Sequence, residues 1–167
     1  MATSFLKQLT GEFNETSGFY VRVGDAVEII ASVTSNQALT YTMTVGERGP
    51  LYAVSSGKIV LSRMPTGELN TYLRSVHFEP VTPKTINSKR ALRDDLAIVR
   101  QAGFGYSREE FTTGIVGIAT AVEHGGRLFG AFNLAVPTAR YSQERDAVFR
   151  RHLAAAAASL GQMIAEQ

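Results

Sequence analysis

The sequence predicts an α+β fold, a mostly antiparallel sheet of about five or six strands with helices packed on it. Three observations carry that expectation. Several short segments alternate apolar and polar residues and end at glycines, as half-buried strands do. Others repeat their apolar residues at helical spacing between Ser, Thr or Gly punctuation. The segments run strands, helices, strands, helix, without the strict alternation that a parallel sheet needs.

Phe19 to Val23 alternates as a strand, Gly24 and Asp25 break it, and Ala26 to Val33 continues as a second strand rich in β-branched residues. The pair reads as a hairpin across a short turn. Thr40 to Val45 is a third β-like run, ended by Gly46. Then the period changes. Leu51, Val54, Ile59 and Leu61 fall near helical spacing up to Pro65, and Thr66 is placed to cap a short helix through Leu73. Pro80 and Pro83 mark a loop. Asn87 or Ser88 starts a longer helix with the stripe Leu92, Leu96 and Val99, and Gly103 sits where a left-handed end residue belongs. Gly114 to Glu123 and Leu128 to Val136 are two more strands, joined around His124, Gly125 and Gly126. From Ser142 to Ile164 the chain is a long helix with the seam Phe149, Leu153, Ala157, Leu160 and Ile164. Glu144 and Asp146 suit the positive end of its dipole.

Composition bounds the function. The 167 residues, 44% hydrophobic, suffice for one domain with its own core, and residues 1–167 show no internal boundary, repeat or linker. The absence of cysteine excludes disulfides, thiolate metal sites and cysteine nucleophiles. No apolar run approaches the length that spans a bilayer, and Met1 to Thr10 carries no secretory pattern, so a cytoplasmic protein without a membrane partner is expected. Seventeen Lys and Arg against 15 Asp and Glu leave a net charge of only +2, with the signs interspersed. A surface that grips nucleic acid concentrates its positive charge.

Little in the sequence suggests catalysis. His77, His124 and His152 are far apart and lack metal-ligand spacing. Gly103 and Gly105 make no phosphate loop, because no lysine follows a glycine cradle. Glu109 and Glu110 are adjacent, so in a strand they point to opposite faces.

The two late strands say more. Ile115, Gly117, Ala119 and Ala121 share one face of the first; Phe129, Ala131, Asn133 and Ala135 share one face of the second. A turn centred on Gly125 sets Gly117 opposite Asn133 and Ala119 opposite Ala131. The joint surface is small side chains around one amide that needs a partner. Either it leaves space for a small ligand, or a helix packs closely on it and Asn133 bonds to that helix's backbone. A second feature is Val54-Ser55-Ser56-Gly57-Lys58, where loop becomes helix. Free N–H groups there suit an anion such as a carboxylate on Ser55, Ser56 and Gly57. Ordinary capping by Ser55 or Ser56 uses the same donors.

Gly46-Glu47-Arg48-Gly49-Pro50-Leu51-Tyr52-Ala53 followed by Ser56-Gly57-Lys58 resembles the signature of the IclR family of bacterial transcription regulators. Further matches follow in order: Thr82-Pro83 with Thr85-Ile86, Leu92 through Val99-Arg100 with Gly103-Phe104, then Glu109-Glu110, Gly114, Ile118-Ala119, Gly130-Ala131 and Pro137. The resemblance spans Leu6 to Gly161. It implies a GAF/profilin-like effector-binding domain, the partner of an N-terminal winged helix-turn-helix. No such motif precedes Phe5, so DNA contact is expected only through a domain absent from this chain. Carried over by motif, ligand contacts fall on Ser55, Ser56, Ser107, Gly117, Asn133 and Ala135. Some members have a carboxylate at the position of Ser107, a cysteine at that of Gly117 and serines near Asn133 and Ala135. Phe111, Tyr52 and Met43 are expected as apolar walls. Some relatives bind zinc, but no ligand set for it stands in this sequence. The expectation is a sensor of a small organic acid, aromatic acids included, without cofactor or catalysis, working as a homodimer or homotetramer. An association module without ligand is the alternative, and an enzyme on the same scaffold a third reading.

Overall fold

A computed structural model describes all residues from Met1 to Gln167. In chain order its elements are α1 (Ala2–Phe13), β1 (Thr16–Val23), β2 (Ala26–Val33), β3 (Arg48–Pro50), α2 (Ser55–Arg63), α3 (Thr66–Ser75), α4 (Lys89–Ala102), β4 (Phe104–Arg108), β5 (Ile115–His124), β6 (Arg127–Pro137) and α5 (Gln143–Ala165). The strands form one curled antiparallel sheet in the order β3-β2-β1-β6-β5-β4.

The alternation along β5 and β6 decides which helix lies on which face. Val116, Ile118 and Val122 with Phe132, Leu134 and Val136 form one buried cluster with Leu6 and Leu9 of α1 and Phe149, Leu153 and Leu160 of α5. The long α5 seam is thus buried as its spacing demands, each large side chain contributing about 1.5–3 kcal/mol of burial. On the opposite face Ala119, Ala121 and Ala131 lie against Ile59 of α2 and Val99 of α4. Large residues take the distant helices, and the small ones let α2 approach. Beyond α2, residues of α3 and α4 pack with Leu51, Tyr52 and Leu61 in a further cluster.

Several caps act as the sequence indicates. Ser88 Oγ accepts from the Ala91 N–H, Gly103 ends α4 with φ 80°, and Ser142 Oγ accepts from the Arg145 N–H at the start of α5. Thr66 is the first residue of α3 rather than its cap, and Pro65 takes the cap position with no side-chain bond. Tight turns join the hairpins, and Gly125 and Gly126 both have positive φ, as a two-residue turn of the favoured hand requires.

Other expectations are corrected. Thr40–Val45 is not a strand; it is coil, and the third strand is Arg48–Pro50. Its carbonyls are satisfied elsewhere. Thr16 Oγ1 donates to the Tyr41 carbonyl at 2.6 Å and Ser32 Oγ to the Met43 carbonyl at 2.7 Å, so no ladder forms. The helix expected from the spacing of Leu51 onward begins only at Ser55, because Pro50 to Val54 makes turns. The register of β5 on β6 differs by two residues. Gly117 faces Ala135 and Ala119 faces Asn133, since His124 pairs with Arg127 and an irregularity follows at Val122/Glu123. A shift of two keeps each residue on its face. Helix α1 and strand β4 were not expected.

Candidate functional site

Beside α2 the small-residue face stays uncovered over a short stretch, and a cavity of about 40 Å³ lies there. Its floor is Gly117 of β5 with Asn133 and Ala135 of β6, and Ser107 of β4 bounds one side. Ser55 and Val54 border it where α2 begins. Met43 and Tyr41 come from the coil between β2 and β3, Tyr20 from β1, and Phe111, Thr112 and Ile115 from the connection into β5.

Part of each outcome left open by the sequence occurs: a helix packs on the face and a space remains, but Asn133 does not bond to the helix backbone. Helix α2 does pack on the small side chains: a Cβ at Gly117 would stand 2.9 Å from Ser55 Oγ. What remains uncovered is the cavity. Asn133, 5% exposed, finds its partner in the Ser55 side chain, with Nδ2 donating to Oγ, and not in the helix backbone. Ser107 Oγ donates to the Ala53 carbonyl at 2.7 Å, which fixes the turn that leads into α2.

Met43, Ser55, Ser107, Phe111, Gly117, Asn133 and Ala135 therefore converge as expected. Four candidates do not reach the cavity. Ser56 points into protein, fully buried, and its hydroxyl has no hydrogen-bond partner. Gly57 is a contact residue; a Cβ there would meet Leu51 Cα at 2.5 Å, so only glycine lets α2 sit on that turn. Tyr52 packs with Phe78 at 5.1 Å between ring centroids, donating its hydroxyl proton to the Glu79 carbonyl and accepting from the Glu79 N–H. Ala131 lies under Ile59 of α2. Helical periodicity explains the exclusion of Ser56 and Gly57: successive residues of a first turn project around the axis, and only Ser55 faces the floor. Of the residues that were missed, Ile115 shares the alternation of Gly117 and was available from it. Tyr41 and Thr112 sit in coil, where no period places them.

Electrostatics at the site come from backbone and hydroxyls. No Lys, Arg or His lines the cavity. No side chain caps α2, so its first N–H groups lack intrahelical partners and its dipole presents partial positive charge. Burial, then the nearby Tyr41 and Glu47, holds the Tyr20 phenol far above its ordinary value. No three His, Asp or Glu side chains gather to hold a metal.

The lysine of the same motif serves the architecture. Lys58, 1% exposed, points away from the cavity. Its Nζ donates to the Tyr106 carbonyl and Glu110 Oε1, each at 2.7 Å, and lies 2.6 Å from Asp95 Oδ2, an ion pair outside hydrogen-bond angles. One cation thereby ties α2 to α4 and to the 109–114 connection, whose Phe111 and Thr112 border the cavity. Thr82 and Thr85 hold that connection by donating to the Glu109 and Glu110 carbonyls.

Residues 1–162 match the family described as the C-terminal part of the bacterial transcriptional regulator IclR. The chain is 33% identical over 137 residues to the HTH-type transcriptional regulator Rv1719 of Mycobacterium tuberculosis, covering 82% of this chain and 52% of that protein. It spans about half the length of the curated relatives it matches. The crystal structure of the C-terminal domain of the Escherichia coli regulator KdgR superposes with a TM-score of 0.87 at 28% identity, over 96% of this chain and 94% of that one. A double mutant of the inducer-binding domain of PobR from Acinetobacter, in complex with 3-hydroxybenzoic acid, gives 0.86 at 28% identity, over 96% and 95% of the two chains. Sequence, topology and fold agree, and the chain belongs to the IclR family as its C-terminal domain.

Proposed function

We propose that this domain senses a small organic acid, held in the cavity between the start of α2 and the floor of β5 and β6. The observation that carries the reading is Asn133: a buried amide paired with Ser55, at an uncapped helix start, beside space walled by small and aromatic residues. A carboxylate there accepts from α2 N–H groups and from Asn133, with the helix dipole in its favour. The cavity holds a few waters. An aromatic acid therefore displaces Met43 and Tyr41, which lie in coil and not in the sheet ladder. The PobR domain with 3-hydroxybenzoic acid supports an acid of this kind.

Binding acts on transcription only if the acid prefers one of two arrangements of the protein. In the full-length regulator the affected step is operator binding by a DNA-binding domain outside these residues. The working form is a cytoplasmic homodimer or homotetramer. Catalysis is not part of the proposal, because Ser55 and Ser107 meet an amide and a carbonyl, and no base adjoins either hydroxyl.

Calorimetry with benzoates and short-chain carboxylic and oxo acids tests the reading. Expected is saturable heat with at least one acid, lost in Asn133→Leu while the thermal transition survives. Absence of heat from every acid at millimolar concentration overturns it.

A further inference from the structure

We propose that residues 35–43 form a strap that carries movement of the cavity wall to the end of α1, with Thr16 as its positioning residue. What sets the strap moving rests on the reading of the cavity as an acid site. Tyr41 and Met43 are the cavity end of the strap. Its other end is tied to the junction of α1 and β1. Thr16 Oγ1, fully buried, accepts from the Ser35 N–H at 3.1 Å and donates to the Tyr41 carbonyl at 2.6 Å. The Asn36 N–H donates to Asn14 Oδ1 at 3.2 Å, and Gln37 Nε2 to the Asn14 carbonyl at 2.6 Å. Asn14 is the residue that ends α1, in the left-handed region at φ 51°.

The other walls of the cavity are held more firmly. Gly117, Asn133 and Ala135 lie within the sheet ladder. Ser107 fixes the Ala53 carbonyl ahead of α2. The 109–114 connection is bonded through its Glu109 and Glu110 carbonyls to Thr82 and Thr85, and through Glu110 Oε1 to buried Lys58. Near the cavity the strap has no ladder; its Tyr41 and Met43 carbonyls accept from the hydroxyls of Thr16 and Ser32. Beyond it Gly46, at φ 94°, gives the chain a swivel before β3. A guest larger than a few waters therefore lifts the strap and breaks the bond from Thr16 to Tyr41. Ser35 and Tyr41 meet on that one hydroxyl, so lifting one shifts the other, and with it Asn36 and Gln37 on Asn14. Arg145, donating to the Phe13 carbonyl, and Thr10, donating to the Val33 carbonyl, hold the same end of α1 from other sides. Release by the strap thus loosens the last turn of α1 without unseating Leu6 and Leu9 from the core.

Two sets of variants read the coupling from opposite ends. Ala135→Val and Ala135→Leu fill the cavity beside Met43 in graded steps, with no ligand present. Expected from residue-resolved amide exchange is a graded rise at Asn36 and Asn14, about five-fold for the larger side chain, the weight of one net hydrogen bond, with Ile118 in β5 unchanged. Folded variants with unchanged exchange at Asn14 overturn the coupling. From the other end, benzoate, 3-hydroxybenzoate and 2-oxobutyrate are titrated by calorimetry into the protein, Thr16→Val and Thr16→Ser. An acid that must detach the strap binds Thr16→Val about five-fold tighter, because the bond to be broken is already gone. Thr16→Ser returns the hydroxyl and the original affinity. A merely structural Thr16 would instead give weaker binding in Thr16→Val. Equal or weaker binding there overturns its role in the strap. If none of the acids binds any of the three proteins, the reading of the cavity as an acid site falls, and the exchange of the Ala135 variants alone decides for or against the strap.

Discussion

Replacing Lys58 with Met removes the one cation that faces Asp95 and Glu110 and leaves two carboxylates side by side under α2. The lysine is fully buried; the Glu110 side chain is 13% exposed and that of Asp95 28%. Breaking a buried pair by removing one partner costs about 3–5 kcal/mol, and water reaching Asp95 argues for the lower end. A loss of about 3 kcal/mol is a large share of the ~5–15 kcal/mol that holds a typical domain. At about 2–4 °C per kcal/mol for a chain of this size, Tm falls by about 6–12 °C. Urea and thermal unfolding followed by circular dichroism measure it. The triple variant Lys58→Met, Asp95→Asn, Glu110→Gln leaves no unpaired charge, and it should recover at least half of the loss. A loss below about 1 kcal/mol would show that the ion cluster contributes no more than a surface pair. Failure of the triple variant to recover would assign the loss to packing instead.

Other outcomes are equally definite. Gly117→Ala puts a methyl 2.9 Å from Ser55 Oγ and 3.6 Å from Asn133 Nδ2, so it should weaken acid binding by about ten-fold or more while costing only about 1–3 kcal/mol of stability; unchanged affinity in calorimetry contradicts the placement of the site. At high pH, Tyr20, Tyr72, Tyr106 and Tyr141 all ionise above their ordinary value, chiefly because burial disfavours the phenolate. The unfolded chain loses these protons first, near pH ~10, so their contribution is intact below that pH and declines above it. Phenolate absorbance should show at least half of the six tyrosines still protonated in the native protein at pH 11, a value just above the ordinary phenol pKa of about 10; full ionisation there without unfolding refutes it. At the opposite end, Ser142→Ala removes the hydroxyl that accepts from Arg145 N–H at the start of α5 and should cost about 1 kcal/mol; no change in the urea midpoint counts against the cap.

Much of the fold follows from short-range pattern. The period-two run of β5 and β6 sorts Ile118 and Leu134 to one face and Gly117 and Asn133 to the other, and both assignments hold. The seam of α5 and the caps at Ser88 and Ser142 are equally local. What failed involves distant partners or counts that local pattern leaves open. One extra residue on β6 at Val122/Glu123 shifts the pairing, and alternation alone does not reveal it. Thr40–Val45 has strand composition, yet side-chain hydroxyls of Thr16 and Ser32 take its carbonyls. Within the site, Asn133 and Gly117 were visible because they interrupt an apolar strand face. Lys58 gave no sign of burial, since its partners Asp95 and Glu110 are remote in sequence. Ser56 and Gly57 share a motif with Ser55 but turn away from the cavity, a distinction that needs the helix phase in three dimensions.

A crystal structure of the protein grown with 3-hydroxybenzoate tests the central claim most directly. The carboxylate should lie against the first turn of α2 and Asn133, with its ring over Gly117 and Met43 or Tyr41 displaced. Ligand density anywhere else, with water alone in the cavity beside Ser55 and Asn133, would contradict it.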